Sequence, residues 1–105
     1  MIRGDLVTVA LPGDFGKPRP ALIVQSDLFQ DHPTISLLPI TSHLVAAPLL
    51  RIDIGPGFGL DRPCQIQIDK LQTIRRERIG QMIGRVPPPL LLAVTRAMAL
   101  FLGLA

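Results

Sequence analysis

The chain is 105 residues long, carries a formal net charge of +3, is 48% hydrophobic and has one cysteine. Domains usually run to about 100–150 residues, so residues 1–105 read as a single domain with no room for a second module. The lone Cys64 excludes an internal disulfide and any multi-cysteine metal site, and a pI near 10.0 suits a polyanionic partner.

A mean hydropathy of +0.40 exceeds what a small domain can bury alone, which points to a homodimer interface. Met1–Asp5 lacks the basic start and long apolar stretch of a secretory signal, so a cytoplasmic protein is expected. Leu90 to Ala105 is the longest apolar run. It is shorter than the ~20 residues of a membrane span and contains Arg96, so no membrane association is expected.

Asp5 to Leu11 is rich in β-branched residues and ends at Pro12-Gly13, which predicts a first strand and a turn. The glycine-rich stretch from Pro12 through Arg19 reads as a mobile loop. Pro20 to Gln25 is a second strand, its proline at the opening, where a missing donor does least harm. Ser26 to Pro33 is a polar connection, and Thr34 to Ile40 a third strand. Leu49 to Ile54 makes a fourth strand, whose Arg51 and Asp53 mark one wet face, and Gly55-Pro56-Gly57-Phe58-Gly59 turns the chain.

From Pro63 to Asp69, Cys64, Ile66 and Ile68 alternate with Gln65, Gln67 and Asp69, the signature of a half-buried strand with its glutamines wet. Shorter strands at Leu71–Ile74 and Gln81–Val86 flank the charged turn Arg75-Arg76-Glu77-Arg78. Pro87-Pro88-Pro89 opens a helix that ends near Leu102, with Gly103 as its stop. Only Thr95 and Arg96 interrupt its apolar surface, so the helix should be buried on most sides, one against its own sheet and another against a partner. Short strands with Gly/Pro turns and no crossover helices predict a mainly β fold, a small antiparallel barrel with a C-terminal helix.

The acidic residues are scattered, without a Cys/His cluster or a helical His pair, so neither a metal nor another cofactor is expected. Cys64 lies on an apolar strand face and reads as core. Two segments remain where a strand meets a loop, Lys17-Pro18-Arg19-Pro20 and Pro39-Ile40-Thr41-Ser42-His43. A single arginine in a loop is usually solvated or salt-bridged. Arg19 and Thr41 together, however, offer the guanidinium and hydroxyl that hold a phosphate and stabilise its developing charge.

Here the sequence resembles the MazF/PemK family of toxin ribonucleases, with matching segments in the same order along nearly the whole chain. They are Arg3-Gly4-Asp5-Leu6-Val7, Gly16-Lys17-Pro18-Arg19-Pro20-Ala21-Leu22-Ile23-Val24, Leu38-Pro39-Ile40-Thr41-Ser42, Asp69-Lys70-Leu71-Gln72-Thr73-Ile74 and Ile83-Gly84-Arg85-Val86. The resemblance implies an SH3-like barrel of the CcdB/PemK-like toxin fold that dimerises through a sheet edge and the C-terminal helix. It further implies a type II toxin that cuts single-stranded RNA without a metal, and an acidic cognate antitoxin as partner.

By the same resemblance Arg19 and Thr41 occupy the catalytic positions. The RNA 2′-hydroxyl would attack the adjacent phosphate, leaving a 2′,3′-cyclic phosphate and a 5′-hydroxyl. Arginine keeps its proton throughout the physiological range, which suits it to charge neutralisation rather than proton abstraction. Phe15, Lys17, Pro20, Ser42, His43, Asp69 and Lys70 are candidate RNA contacts. Phe15 is the best-placed ring for base stacking in a chain without Trp or Tyr.

The loop before Arg19 is shorter than in most of the family and lacks its Glu-Gln, so base preference does not carry over. The alternative is a CcdB-like gyrase poison of the same fold, which Val24-Gln25-Ser26-Asp27 and Phe101-Leu102-Gly103-Leu104-Ala105 resemble in part. That family ends in Trp-Gly-Ile, and this chain has no Trp.

Overall fold

Val7 and Val9 are buried on one side of the first strand and Leu6 on the other, so the sheet is covered on both faces from its first residues. That is why the segment reads as an almost continuous apolar run rather than an alternating one. The computed structural model describes residues 1–13 and 15–105; Asp14, in the loop expected to be mobile, lies outside the described residues.

The strands are β1 (Asp5–Ala10), β2 (Pro18–Ile23), β3 (Thr34–Thr41), β4 (Arg51–Ile54), β5 (Cys64–Gln67), β6 (Gln72–Arg75) and β7 (Ile79–Arg85), followed by helix α1 (Pro88–Phe101). They form an antiparallel sheet in the order β4-β5-β3-β2-β1-β7. β3 is its hub, pairing with β2 along one side and with β6 and then β5 along the other.

Two glycines let the ends of that order meet. A Cβ on Gly84 of β7 would lie 1.9 Å from the carbonyl oxygen of Phe58, and one on Gly59 would lie 2.0 Å from that of Ile83. The turn after edge strand β4 therefore rests backbone to backbone on edge strand β7, and the sheet curls into a barrel.

One core cluster fills the inside of this curl from Leu6, Leu22, Leu38, Ile40, Ile54, Ile66 and Ile68, and α1 covers it with Val94, Leu90, Leu91, Ala97 and Met98. A second cluster, including Val7, Val9, Ala21, Ile23, Ile35, Leu37 and Ile74, lies on the opposite face. Pro88 stands in the first turn of α1. At its end the Leu104 amide donates to the Ala99 carbonyl and the Gly103 amide to that of Leu100, with Gly103 at φ 75°. This double closure stops the helix at the glycine the sequence pointed to.

One side of the helix is covered by its own sheet, as expected, and the side expected to meet a partner is open in the single chain. Only Val94 is fully enclosed, while Leu92, Leu100 and Phe101 are exposed, because one chain supplies a cover for just one side. β2 begins two residues earlier than Pro20. Pro18 and Pro20 pair with Ala10 and Thr8 of β1, and β3 joins only from Ala21, so the prolines occupy an edge where a missing amide costs little.

The Arg3-Gly4-Asp5 segment is structural. The Arg3 guanidinium bridges the Val24 carbonyl at the end of β2 and the Thr95 hydroxyl on α1. The buried Asp5 carboxylate accepts from the Ile2 amide at 2.9 Å and from Arg85 Nη1 at 2.5 Å. Together they fasten the first strand to the helix and to β7. Among the described residues no helix is long and apolar enough to cross a membrane.

Candidate active site

β2 and β3 pair at Ile23 with Leu37, Leu22 with Leu38 and Ala21 with Pro39. Arg19 lies two residues before Ala21 on β2 and Thr41 two residues after Pro39 on β3, both just beyond the paired positions. Both residues line one cleft of about 540 Å³. Thr41 is the cross-strand partner of Gln65 in β5, and Gln65 that of Asp53 in β4, so a single polar row crosses the sheet at the level of the cleft.

The Thr41 hydroxyl oxygen accepts from the backbone amide of His43 at 3.1 Å. This uses a lone pair, fixes the side chain, and leaves the hydroxyl proton for another acceptor. Among the described residues three cations line the cleft, Arg19, Arg62 and Lys70, against one carboxylate, Asp61. Arg62 Nε lies 3.3 Å from Asp61 Oδ1 and Lys70 Nζ 3.7 Å from Asp69 Oδ2, both at the surface. Such exposed pairs contribute little to stability, so an incoming phosphate can compete for these cations.

Cys64 reaches the cleft wall but belongs to the core, only 5% exposed, with its Sγ donating to the Arg62 carbonyl at 3.4 Å. Burial, and then the Asp61 carboxylate, push its thiol up from 9.0, with Arg62 opposing them. A thiol held protonated at neutral pH is not a nucleophile.

Of the residues singled out in the sequence, Arg19, Thr41, Pro20, Ser42 and Lys70 line the cleft, whereas Phe15, Lys17, His43 and Asp69 do not. Phe15 is fully exposed at φ 51°, and Lys17 is exposed beside it. Asp69 and Lys70 sit on a 3-10 turn, Ile68–Lys70, rather than on a strand. That turn buries Ile68 and sends Lys70 alone into the cleft.

Arg62, Asp61, Gln67 and Gln72 also line the cleft and were not singled out. Period-2 spacing placed Gln67 on a wet face, which could have suggested it. Nothing local marks Asp61 and Arg62, which reach the site through the turn after β4. Among the described residues no group of His, Cys, Asp and Glu could hold a metal ion.

Residues 2–102 match the family model described as PemK-like, MazF-like toxin of type II toxin-antitoxin system. The chain belongs to this family of type II toxins. A relative from Mycolicibacterium smegmatis, named "Probable endoribonuclease MazF", is 39% identical over 108 residues, covering 100% of this chain and 99% of the relative.

Among solved structures, an endoribonuclease from a mycobacterial species in complex with its cognate antitoxin superposes with a TM-score of 0.85. It is 23% identical and covers 100% of this chain and 97% of its own. The Mycobacterium tuberculosis toxin MazF-mt6 gives a TM-score of 0.83 at 22% identity over 94% of this chain and 96% of its own. These place the curled sheet and C-terminal helix in the MazF toxin fold.

Proposed function

We propose that this MazF/PemK-family toxin is a metal-independent endoribonuclease for single-stranded RNA, with Arg19 and Thr41 as its catalytic residues. The observation that carries it is that both side chains line one cleft together with Arg62 and Lys70. The RNA supplies its own nucleophile. As the 2′-oxygen bonds to phosphorus, the bond from phosphorus to the 5′-oxygen breaks; the proton leaves the 2′-hydroxyl, and the departing 5′-oxygen takes one up. Charge grows on the non-bridging oxygens between these events, where Arg19 neutralises it and the Thr41 proton donates to it.

Lys70, Ser42, Arg62 and Pro20 on the cleft wall are the proposed contacts to the strand, the cations to its phosphates. Phe15, Lys17, His43 and Asp69 would meet RNA only beyond the cleft, with the exposed Phe15 ring available for stacking. A second copy is proposed to cover the exposed face of α1 and the edge strand β7, whose Met82 is also exposed. The mycobacterial relative with its cognate antitoxin supports an acidic antitoxin as partner here, laid over the same basic cleft. The cytoplasm is the proposed location, as a single domain.

The test is to incubate the protein with single-stranded RNA in excess chelator and map the ends. Cyclic phosphate and 5′-hydroxyl ends, lost in Arg19→Ala, are expected. Intact RNA, or cutting that needs a metal, overturns the assignment.

A further inference from the structure

Gln65 stands where alternation makes it wet, yet it is 7% exposed and every hydrogen-bonding capacity of its amide is filled. Its Oε1 accepts from the Val45 amide at 3.1 Å and from Arg51 Nη1 at 3.0 Å. Its Nε2 donates to the Val45 carbonyl at 3.0 Å and to Asp53 Oδ1 at 3.1 Å. The side-chain amide thus grips one residue of the segment after β3 by both its N–H and its C=O, as a neighbouring strand would. Arg51 Nη1 extends the grip by donating also to the His43 carbonyl at 3.2 Å.

The consequence falls on Thr41. His43 is held through its carbonyl by Arg51, and its amide is the group that donates to the Thr41 hydroxyl oxygen. We infer that Gln65 and Arg51 are positioning residues, which hold the 42–47 segment so that the His43 amide fixes the Thr41 rotamer and aims its proton into the cleft. This rests on Thr41 being the phosphate-facing donor proposed above. Neither residue need touch the RNA: Gln65 and Arg51 are absent from the cleft wall.

The geometry separates two kinetic effects. None of the four bonds of the Gln65 amide goes to Arg19, Arg62 or Lys70, and of the proposed strand contacts on the cleft wall only Ser42 rides on the clamped segment, so loosening the clamp changes substrate affinity little. A hydroxyl that wanders among rotamers loses its transition-state contact, which lowers kcat.

The experiment measures kcat and KM for RNA cleavage in the wild type, Gln65→Met, Arg51→Met, Arg51→Lys and Thr41→Val, with amide exchange of Val45 and of core strand β2 followed in each. Gln65→Met is expected to lower kcat about tenfold or more while KM moves less than threefold, with Val45 exchanging freely and β2 still protected. Arg51→Met should behave alike, and Arg51→Lys, which keeps a donor, should recover most of the rate.

In the Thr41→Val background the Gln65 change should cost no further activity, because the two act through one hydroxyl. Should Gln65→Met fail to protect β2, the Arg51 pair carries the same comparison. Full kcat with the Val45 amide released overturns the clamp, as does an equal rate loss in Arg51→Met and Arg51→Lys. A wild type that cuts no RNA refutes the nuclease assignment instead.

Discussion

Thr41 and Gln65 face each other across β3 and β5, one at the rim of the cleft and the other sealed beneath the segment that follows it. The catalytic hydroxyl proposed here therefore has a buried amide as its cross-strand neighbour, and Arg19, near the start of β2, lines the same cleft.

From that geometry, Thr41→Val should keep the fold and lower kcat about 10²-fold, the usual loss for one donor to a developing oxyanion. Arg19→Ala should cost more, about 10³-fold, since it removes a charge as well as donors, and Arg19→Lys should recover only part of it because an ammonium lacks the planar fork. Rates measured under single-turnover conditions, with circular dichroism to show retained structure, provide the check. Full activity in Arg19→Ala would remove the guanidinium from the mechanism.

Local chemistry made much of this legible. The prolines and Gly103 bounded the helix, and Cys64, Ile66 and Ile68 identified the buried face of β5. What escaped depends on contacts between distant segments. Gln65 looks solvated until residues 42–47 fold over it, and Gly59 and Gly84 look like ordinary turn and strand residues until their backbones meet. Arg62 lines the cleft with Arg19 and Thr41, residues far from it in sequence. Period and propensity describe neighbours in sequence, and these three features belong to neighbours in space.

Salt should weaken RNA binding in proportion to the cations engaged. With Arg19, Arg62 and Lys70 each neutralising a phosphate, the affinity for a short single strand should fall with a log–log slope of about −2, at roughly −0.7 per contact. Lys70→Ala should flatten the slope by about 0.7 without abolishing cleavage. Fluorescence anisotropy across a salt series on an uncleavable RNA measures this, and an unchanged slope in Lys70→Ala would take that lysine out of the interface.

Cys64 should be dispensable for chemistry. Its thiol is pushed above 9.0 by burial and by Asp61, so Cys64→Ala is expected to cut RNA at a rate within about threefold of wild type while losing about 1 kcal/mol of stability to the small cavity. The raised value also has a sign for stability. The folded chain holds this proton more tightly than the unfolded chain, so the stabilisation is complete below pH 9.0 and is lost as pH rises from there through the folded-state value. Denaturant melts from pH 8 to 11 should show a fall that is smaller in Cys64→Ala.

The Asp5–Arg85 pair should matter for the fold and not for cutting. Asp5 is 3% exposed and ties Ile2 to β7, whereas Arg85 keeps about half its side chain in water, which discounts the pair relative to a fully buried one. Asp5→Ala is expected to cost about 1–3 kcal/mol, chiefly through the lost charge-assisted bonds to the Ile2 amide and the guanidinium. Below its melting transition the variant should cleave RNA at the wild-type rate. A kcat reduced tenfold in the folded variant would show that the N-terminal tie communicates with the cleft.

Gly84→Ala tests the closure of the barrel and, through it, the placement of Arg62. The added methyl would lie 1.9 Å from the Phe58 carbonyl oxygen, and that atom belongs to backbone, which cannot rotate away as a side-chain end can. The β4–β5 turn must then lift from β7, so a loss of several kcal/mol is expected, in the range reserved for overpacked or strained sites. Gly57→Ala, with nothing within 4 Å of its new methyl, serves as a control for backbone strain alone, since Gly57 adopts φ 123°. If contact between the sheet edges is what sets the turn, Gly84→Ala should be the more destabilising. In whatever fraction folds it should also weaken RNA binding, because Asp61 and Arg62 ride on the displaced segment. Melting temperatures for both variants, with RNA affinity measured well below them, decide the matter. Equal stability would mean that the strands alone hold the barrel closed.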